Sequence, residues 1–194
     1  PFLREKLKVV YLQDYRVTLS ELLMPASEVS KQISLAGTEA SGTGNMKLML
    51  NGAVTVGTMD GANVEIYEQV GKDNIITFGM TTDEVNALKK ANYNSRSIYE
   101  QNPRIKSVIE AMYHGIGGET FEDVANSLVN SDPYMVLADF ASFLEAERKV
   151  SEYYLDRTRW NRMSLSNIAH AGVFAADRAV NDYARDIWDL RPIQ

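Results

Sequence analysis

The alternation of apolar and polar positions divides the chain into two regions. In residues 1–80, short runs rich in β-branched residues alternate with glycine-bounded stretches of helical periodicity. The predicted strands are residues 9–12, 32–35, 53–56 and 75–78. The predicted helices between them are residues 18–26, 43–50 and 62–70. Strands and helices that alternate at this spacing predict a parallel sheet with helices on both faces.

The second region, residues 81–194, has mainly helical periodicity. The predicted helices are residues 83–90, 103–114, 121–130, 134–154, 156–170 and 177–188. Residues 92–102 are polar and are predicted to form an exposed loop. We therefore expect an α/β fold in which a Rossmann-like part, residues 1–80, is followed by a mainly helical part, residues 81–194, of the same domain.

Composition excludes several classes of protein. The 194 residues carry 20 basic and 26 acidic side chains, and a net charge of −6 disfavours non-specific binding to nucleic acid. The absence of cysteine excludes disulfides, and His114 and His170 lack neighbouring ligands at metal-binding spacing. No apolar run reaches membrane-spanning length and no secretion signal is evident, so we expect a cytoplasmic protein. Because the sequence begins at Pro1 and has no initiator Met, we expect it to be a piece of a longer chain.

The most informative segment is the glycine-rich loop that precedes the helix at 43–50. It follows the strand at 32–35, at the sheet edge where α/β proteins bind ligands. Gly42 and Gly44 allow a ligand to approach the main chain closely. A helix beginning near Thr43 offers unpaired N–H groups to an anion. Lys47 follows Thr43 by four residues, so it lies on the same helix face about 5.4 Å further along. Pyridoxal phosphate, with a phosphate and an aldehyde, would span that distance.

Two ordinary nucleotide motifs do not explain this loop. Lys47 stands where a dinucleotide fingerprint requires its third glycine, and the loop is too short for a P-loop. A lysine one turn into a helix is commonly a solvated surface residue. The apolar neighbours Met46, Leu48 and Met49 instead lead us to expect a desolvated amine, which favours the neutral nucleophile needed for imine formation.

Residues 39–53 resemble the pyridoxal-phosphate attachment segment of the α-glucan phosphorylases; their sequence is EASGTGNMKLMLNGA. Further similarity lies at residues 10–17, at 55–65 and near the end at 177–188, although Ala175 and Ala176 stand where family members commonly carry serines. The resemblance covers essentially the whole chain. It covers only the last part of a much longer family protein, however.

The resemblance implies pyridoxal 5′-phosphate as the cofactor, with Lys47 as the Schiff-base lysine. Thr43 and Gly44 would bind the cofactor phosphate through their backbone N–H groups. Tyr15 and Arg16, which follow the first predicted strand, would lie beside that phosphate, where a guanidinium suits phosphate geometry.

The resemblance also implies a sugar site, in which Glu39, Ser41 and Gly42 contact the glucosyl hydroxyls. The residues to which it gives catalytic roles are Lys47, Glu39, Arg16 and Tyr15. Simpler interpretations exist for two of them: Arg16 could pair with Asp14, and Glu39 could be an acid favoured by the helix dipole. The segment 60–63 most simply caps the following helix.

The family architecture implied by the resemblance is a two-lobed fold of the glycosyltransferase-B type, of which this chain forms an incomplete C-terminal lobe. The implied reaction is the phosphorolysis of a terminal α-1,4-linked glucose by inorganic phosphate, giving glucose 1-phosphate. Its partners would be the glucan, phosphate, the missing N-terminal lobe and a second subunit in a homodimer. We expect the 194-residue piece alone to be inactive and to expose apolar surface that promotes self-association.

Two other hypotheses remain open from the residues alone. One is a pyridoxal-phosphate enzyme that reacts through its imine carbon, such as an aminotransferase, although no acidic partner for the pyridine nitrogen is recognisable. The other is a non-catalytic module that binds a sugar phosphate or nucleotide phosphate, in which Lys47 forms no covalent adduct.

Overall fold

The computed structural model describes residues 6–191, and it has a small parallel sheet flanked by helices. The strands are β1 Val29–Gln32, β2 Val54–Gly57 and β3 Ile76–Thr77, in the order β1-β2-β3. All pairs are parallel, with Val29 opposite Val54 and Val56 opposite Ile76. Every residue of β2 is buried, as is usual for the central strand of a parallel sheet.

Helix α1 precedes β1, α2 and α3 connect the strands, and the other helices follow β3. They are α1 Val17–Leu23, α2 Gly44–Leu50, α3 Asn63–Val70, α4 Thr82–Lys90, α5 Ser95–Gln101, α6 Pro103–His114, α7 Glu122–Asn130, α8 Val136–Leu155, α9 Arg157–His170 and α10 Ala176–Asp186, with a 3-10 turn at Ala171–Phe174. The predicted fold class, α/β with a helical C-terminal region, is confirmed. The division at residue 80 stays a prediction.

Apolar side chains are buried on both faces of the sheet. On one face, Val54 and Val56 pack with Trp160 and Met163 of α9. In a second core, Met49 of α2 packs with Ile66 of α3 and with Ala171. This packing fixes α2, and with it the glycine-rich loop, at the carboxyl end of β1. None of the helices within residues 6–191 is long and apolar enough to cross a lipid bilayer.

Two of the predicted strands differ from the structure. Residues 9–12 form no strand, and Tyr11 is 91% exposed, because no other described strand lies beside this segment to complete its hydrogen bonds. The strand predicted at 32–35 lies three residues earlier, at Val29–Gln32. Leu35 is apolar for another reason: it packs against Val85 of α4 after the chain has left the sheet.

The prediction of a loop at residues 92–102 is also wrong, since α5 occupies Ser95–Gln101. Its polar residues serve the helix. The Asn94 side chain accepts a hydrogen bond from the Ser97 N–H at 3.2 Å and caps the helix. The buried Ser95 hydroxyl donates to the Val129 carbonyl at 2.9 Å. The polar residues of this segment therefore cap a helix and make a buried contact, and they do not indicate an irregular loop.

Candidate functional site

The loop after β1 borders a polar cavity of about 210 Å³, which we call the loop cavity. Its lining includes Glu39, Ser41, Gly42, Asn45, Asp60 and Asn63. The structure thus brings together the three residues predicted to contact sugar hydroxyls. Gly42 has a φ of +112°, a backbone conformation that residues other than glycine rarely adopt. The loop cavity lies at the carboxyl edge of the sheet, where parallel α/β folds bind ligands.

Asp60 holds the main chain of this loop. One carboxylate oxygen accepts a hydrogen bond from the Gly37 N–H at 2.8 Å and the other accepts from the Glu39 N–H at 2.9 Å. Burial raises the pKa of Asp60, but these hydrogen bonds to the charged form outweigh it and leave the pKa below its usual value. The segment 60–63 does contain the N-cap of α3, at Ala62, but no side chain caps the helix, so capping does not explain the Asp60 carboxylate. The loops that follow β1 and β2 meet at one sheet edge, so the carboxylate faces the neighbouring loop instead.

Gly61 lies directly beneath the same loop. A Cβ atom on Gly61 would lie 2.5 Å from the carbonyl oxygen of Ser41 and 2.9 Å from Cγ of Glu39. Both distances are far shorter than van der Waals contact, and the φ of Gly61 is +50°. The absence of a side chain at this position therefore lets the loop pack on the turn after β2.

A pair of buried asparagines connects the loop to the start of α2. The Asn45 amide donates to the Asn63 side-chain oxygen at 2.9 Å, and the Asn63 amide donates to the Thr58 carbonyl at 2.9 Å. The Asn45 oxygen accepts from the Met46 N–H at 2.9 Å. These uncharged groups fix the first turn of α2 to the sheet, and the helix cannot rotate without breaking them.

Lys47 lies on a different face of α2 from the loop cavity. Its N–H donates to the Thr43 carbonyl at 3.1 Å, so the predicted spacing of one helical turn between Thr43 and Lys47 is present. Thr43 and Lys47 are exposed. No atom lies within 4 Å of the position that a Cβ of Gly44 would occupy. We call the surface formed by Thr43, Gly44 and Lys47 the lysine face.

The expectation of a desolvated amine is wrong for this structure, because the Lys47 side chain is exposed. The buried residues of α2 are Asn45 and Met49, which are one turn apart on the side that contacts the sheet. Lys47 is two residues from each of them and is therefore rotated by about 200° about the helix axis. Apolar neighbours in sequence did not predict burial of Lys47. Met49 lies on the buried side of the helix, whereas Met46 and Leu48 are half-buried and lie about 100° to either side of Lys47.

Tyr15 and Arg16 lie outside the loop cavity. Both are exposed, and an Arg16 guanidinium nitrogen lies 3.3 Å from a carboxylate oxygen of Asp14. This ion pair is the simpler interpretation considered for Arg16. Exposed pairs of this kind contribute little to stability, so it does not prevent either side chain from taking another partner.

Comparison with known proteins identifies the family. The profile of the carbohydrate phosphorylases matches residues 1–190. This chain belongs to the carbohydrate phosphorylase family. It is 46% identical over 196 aligned residues to the liver form of glycogen phosphorylase from Homo sapiens, and 45% identical over 198 to glycogen phosphorylase from Bacillus subtilis (strain 168). The alignments cover 99% and 100% of this chain but only 23% and 25% of those proteins, so it spans about a quarter of their length.

Sequence reasoning missed three residues that organise this candidate site: Asp60, Asn45 and Asn63. A usable signal was present, because Asp60 follows the buried strand β2 just as the glycine-rich loop follows β1. Residues that follow neighbouring parallel strands converge at one edge. That rule favours a role at the loop cavity over a cap for the adjacent helix.

The lowered pKa of Asp60 predicts an acid-dependent loss of stability. Asp60 has a folded-state pKa below its ordinary 3.8, so its contribution to stability is present above pH 3.8 and is lost as the pH falls through the folded value. Urea unfolding of the 194-residue chain and of Asp60→Asn should therefore differ by a constant amount between about pH 7 and about pH 5. The two curves should converge below about pH 4. A difference that grows on acidification would contradict this assignment.

Proposed function

We propose that this chain is part of an α-glucan phosphorylase that carries pyridoxal phosphate on Lys47. The observation that carries the proposal is the whole-chain similarity to glycogen phosphorylases, combined with an exposed lysine one turn beyond a glycine-rich loop. The substrates are an α-1,4-glucan and inorganic phosphate, and the product is glucose 1-phosphate. The remainder of the protein supplies the opposite wall of the active site. We further propose a homodimer and a cytoplasmic location.

The donor groups of the lysine face suit this cofactor. Lys47 offers a primary amine accessible to an aldehyde. Within residues 6–191, the N–H groups of Thr43 and Gly44 donate to no protein acceptor, so they are free to bind a phosphate. Gly44 leaves open the space through which an anion would approach. We propose that Arg16 and Tyr15 turn from the position beside Asp14 to contact the same phosphate.

Pyridoxal phosphate held here would supply a phosphate that titrates near neutrality, which is suited to general acid–base chemistry beside the substrate phosphate. The residues of this chain bind and orient the reactants. Lys47 anchors one end of the cofactor, and the Thr43 and Gly44 N–H groups hold the other. Glu39, Ser41 and Gly42 hold the terminal glucose in the loop cavity, where the Glu39 carboxylate favours the positive charge that develops on the ring.

Full-length protein containing this chain tests the proposal directly. Incubation with glucan and inorganic phosphate should produce glucose 1-phosphate, whereas the 194-residue chain alone should produce none. Incubation with amino acids should leave the absorbance of the bound cofactor unchanged, because the imine serves as an anchor. An amino-acid-dependent shift would favour a transaminating enzyme, and absence of any covalent adduct would favour a non-catalytic phosphate-binding module.

Substitution of Gly44 tests the approach of the phosphate. Gly44→Ala should fold normally, because the added methyl group meets no protein atom. It should weaken binding of pyridoxal phosphate to the full-length protein by about tenfold, or ~1.4 kcal/mol, because the methyl group occupies the path of the anion. Fluorescence titration of the apoenzyme measures the dissociation constant.

Gly172→Ala is the matched control for Gly44→Ala. Gly172 likewise has open space at its Cβ position and lies in the 3-10 turn Ala171–Phe174. The Gly172→Ala variant should bind the cofactor with the same dissociation constant as the wild type. Equal dissociation constants for both variants would exclude close approach of the phosphate to Gly44.

A further inference from the structure

Both oxygens of the Asp60 carboxylate accept hydrogen bonds from the main chain of the loop. One oxygen accepts from the N–H of Gly37, which lies within a turn closed by a hydrogen bond from the Thr38 N–H to the Leu35 carbonyl at 3.0 Å. The other accepts from the N–H of Glu39, the residue that follows this turn. Asp60 is buried and lines the loop cavity. A carboxylate held by two amides is a poor proton acceptor, so this residue is suited to fixing geometry rather than to moving protons.

The Glu39 side chain depends on this support. Its carboxylate makes one weak contact, accepting from the Ser41 N–H at 3.4 Å, and the residue is exposed. Its stem lies over Gly61, where any side chain would collide with Cγ. The position of Glu39 therefore follows from two constraints in the turn after β2: the hydrogen bond to Asp60 and the space above Gly61.

We infer that Asp60 is a positioning residue for substrate binding, which acts through the Glu39 and Gly37 main chain to place the groups that contact the sugar. This inference rests on the proposed function, since it takes Glu39 and Ser41 as sugar ligands. Asparagine cannot replace Asp60 fully. It has one oxygen, and its amide group would place a donor against one of the two N–H donors.

Asp60→Asn in the full-length protein tests the inference. We expect kcat/KM for the glucan to fall by about 10-fold to 100-fold, because a misplacement of about 1 Å can cost that much. Cofactor content and absorbance should remain at the wild-type level, since Lys47 lies on the opposite side of α2 from Asn45 and the loop cavity. General damage to the fold would lower both quantities together.

Asp139→Asn is the matched control. Asp139 is also a buried aspartate that accepts a backbone hydrogen bond, from the Met80 N–H at 2.9 Å, but it does not line the loop cavity. The Asp139→Asn variant should have the same kcat/KM for the glucan as the wild type. The inference would be overturned if Asp60→Asn had the kcat/KM of the wild type, or if both variants lost kcat/KM equally. The proposed function would still stand in either case, provided that the wild-type protein catalyses phosphorolysis.

Hydrogen exchange separates the inference from the proposed function. In the 194-residue chain, the Gly37 and Glu39 amides should exchange at least about tenfold faster in Asp60→Asn than in the wild type, because their acceptor is weakened. Amides of α6 should be unaffected. If the full-length wild type makes no glucose 1-phosphate, the proposed function fails, and this exchange result alone decides whether Asp60 positions the loop.

Discussion

Replacing Lys47 with arginine should abolish covalent attachment of pyridoxal phosphate and lower phosphorolysis by the full-length protein by at least about 100-fold, or ~2.7 kcal/mol. Arginine keeps the positive charge and much of the length, but its guanidinium does not form a stable imine with an aldehyde at neutral pH. Borohydride reduction followed by peptide mass mapping locates the adduct. In the wild type it should lie in the peptide that contains residues 39–53.

Lys89→Arg provides the control for the reduction experiment. Lys89 also lies on a helix, in the last turn of α4, and is remote in sequence from the glycine-rich loop. Its replacement should leave both the adduct and the activity at wild-type levels. A reduced adduct on another lysine, or full activity in Lys47→Arg, would refute the assignment of the lysine face as the cofactor site.

Replacing Trp160 with alanine should cost about 3–5 kcal/mol of the free energy of unfolding, enough to unfold a large fraction of a marginally stable chain. Trp160 is only 1% exposed and packs with Val54 and Val56 of the central strand. Its indole N–H donates to a Glu28 carboxylate oxygen at 2.7 Å, and its ring meets that of Tyr154 edge-on at 5.2 Å. The substitution leaves a large cavity between α9 and the sheet.

Trp188→Ala is the matched control for this loss. Trp188 is 53% exposed and contacts Tyr183 at the edge of α10. Its replacement should change the free energy of unfolding by about 0.5 kcal/mol or less. Urea unfolding followed by circular dichroism measures both variants. Similar losses for the two tryptophans would mean that α9 is not a principal support of the sheet.

Elements with strong local signals were predicted closely. The helix expected at residues 103–114 is observed as Pro103–His114, because Asn102 accepts N–H bonds at its start and Pro103 suits the first helical position. The strand expected at 53–56 is observed at Val54–Gly57. In both cases a few neighbouring residues contain the deciding information, whether as a cap or as a short run rich in β-branched residues.

Placement at the site was less predictable. Glu39, Ser41 and Gly42 line one cavity, since a single short loop carries all three. Their binding of a sugar stays a prediction. In this structure Arg16 pairs with Asp14, and Lys47 is exposed. Those outcomes depend on which surfaces cover each side chain, and apolar neighbours along the chain do not specify that.

The sequence by itself determined the class of fold, the family and the one-turn spacing between Thr43 and Lys47, because these depend on periodicity, on a specific motif and on helix geometry. Only the tertiary structure decided that Asp60 supports the glycine-rich loop, that Gly61 lies beneath it and that Lys47 faces away from the loop cavity. These features arise where two loops from neighbouring parallel strands meet. Contacts between segments 21 to 23 residues apart, such as those of Asp60, follow from strand pairing and not from any local pattern.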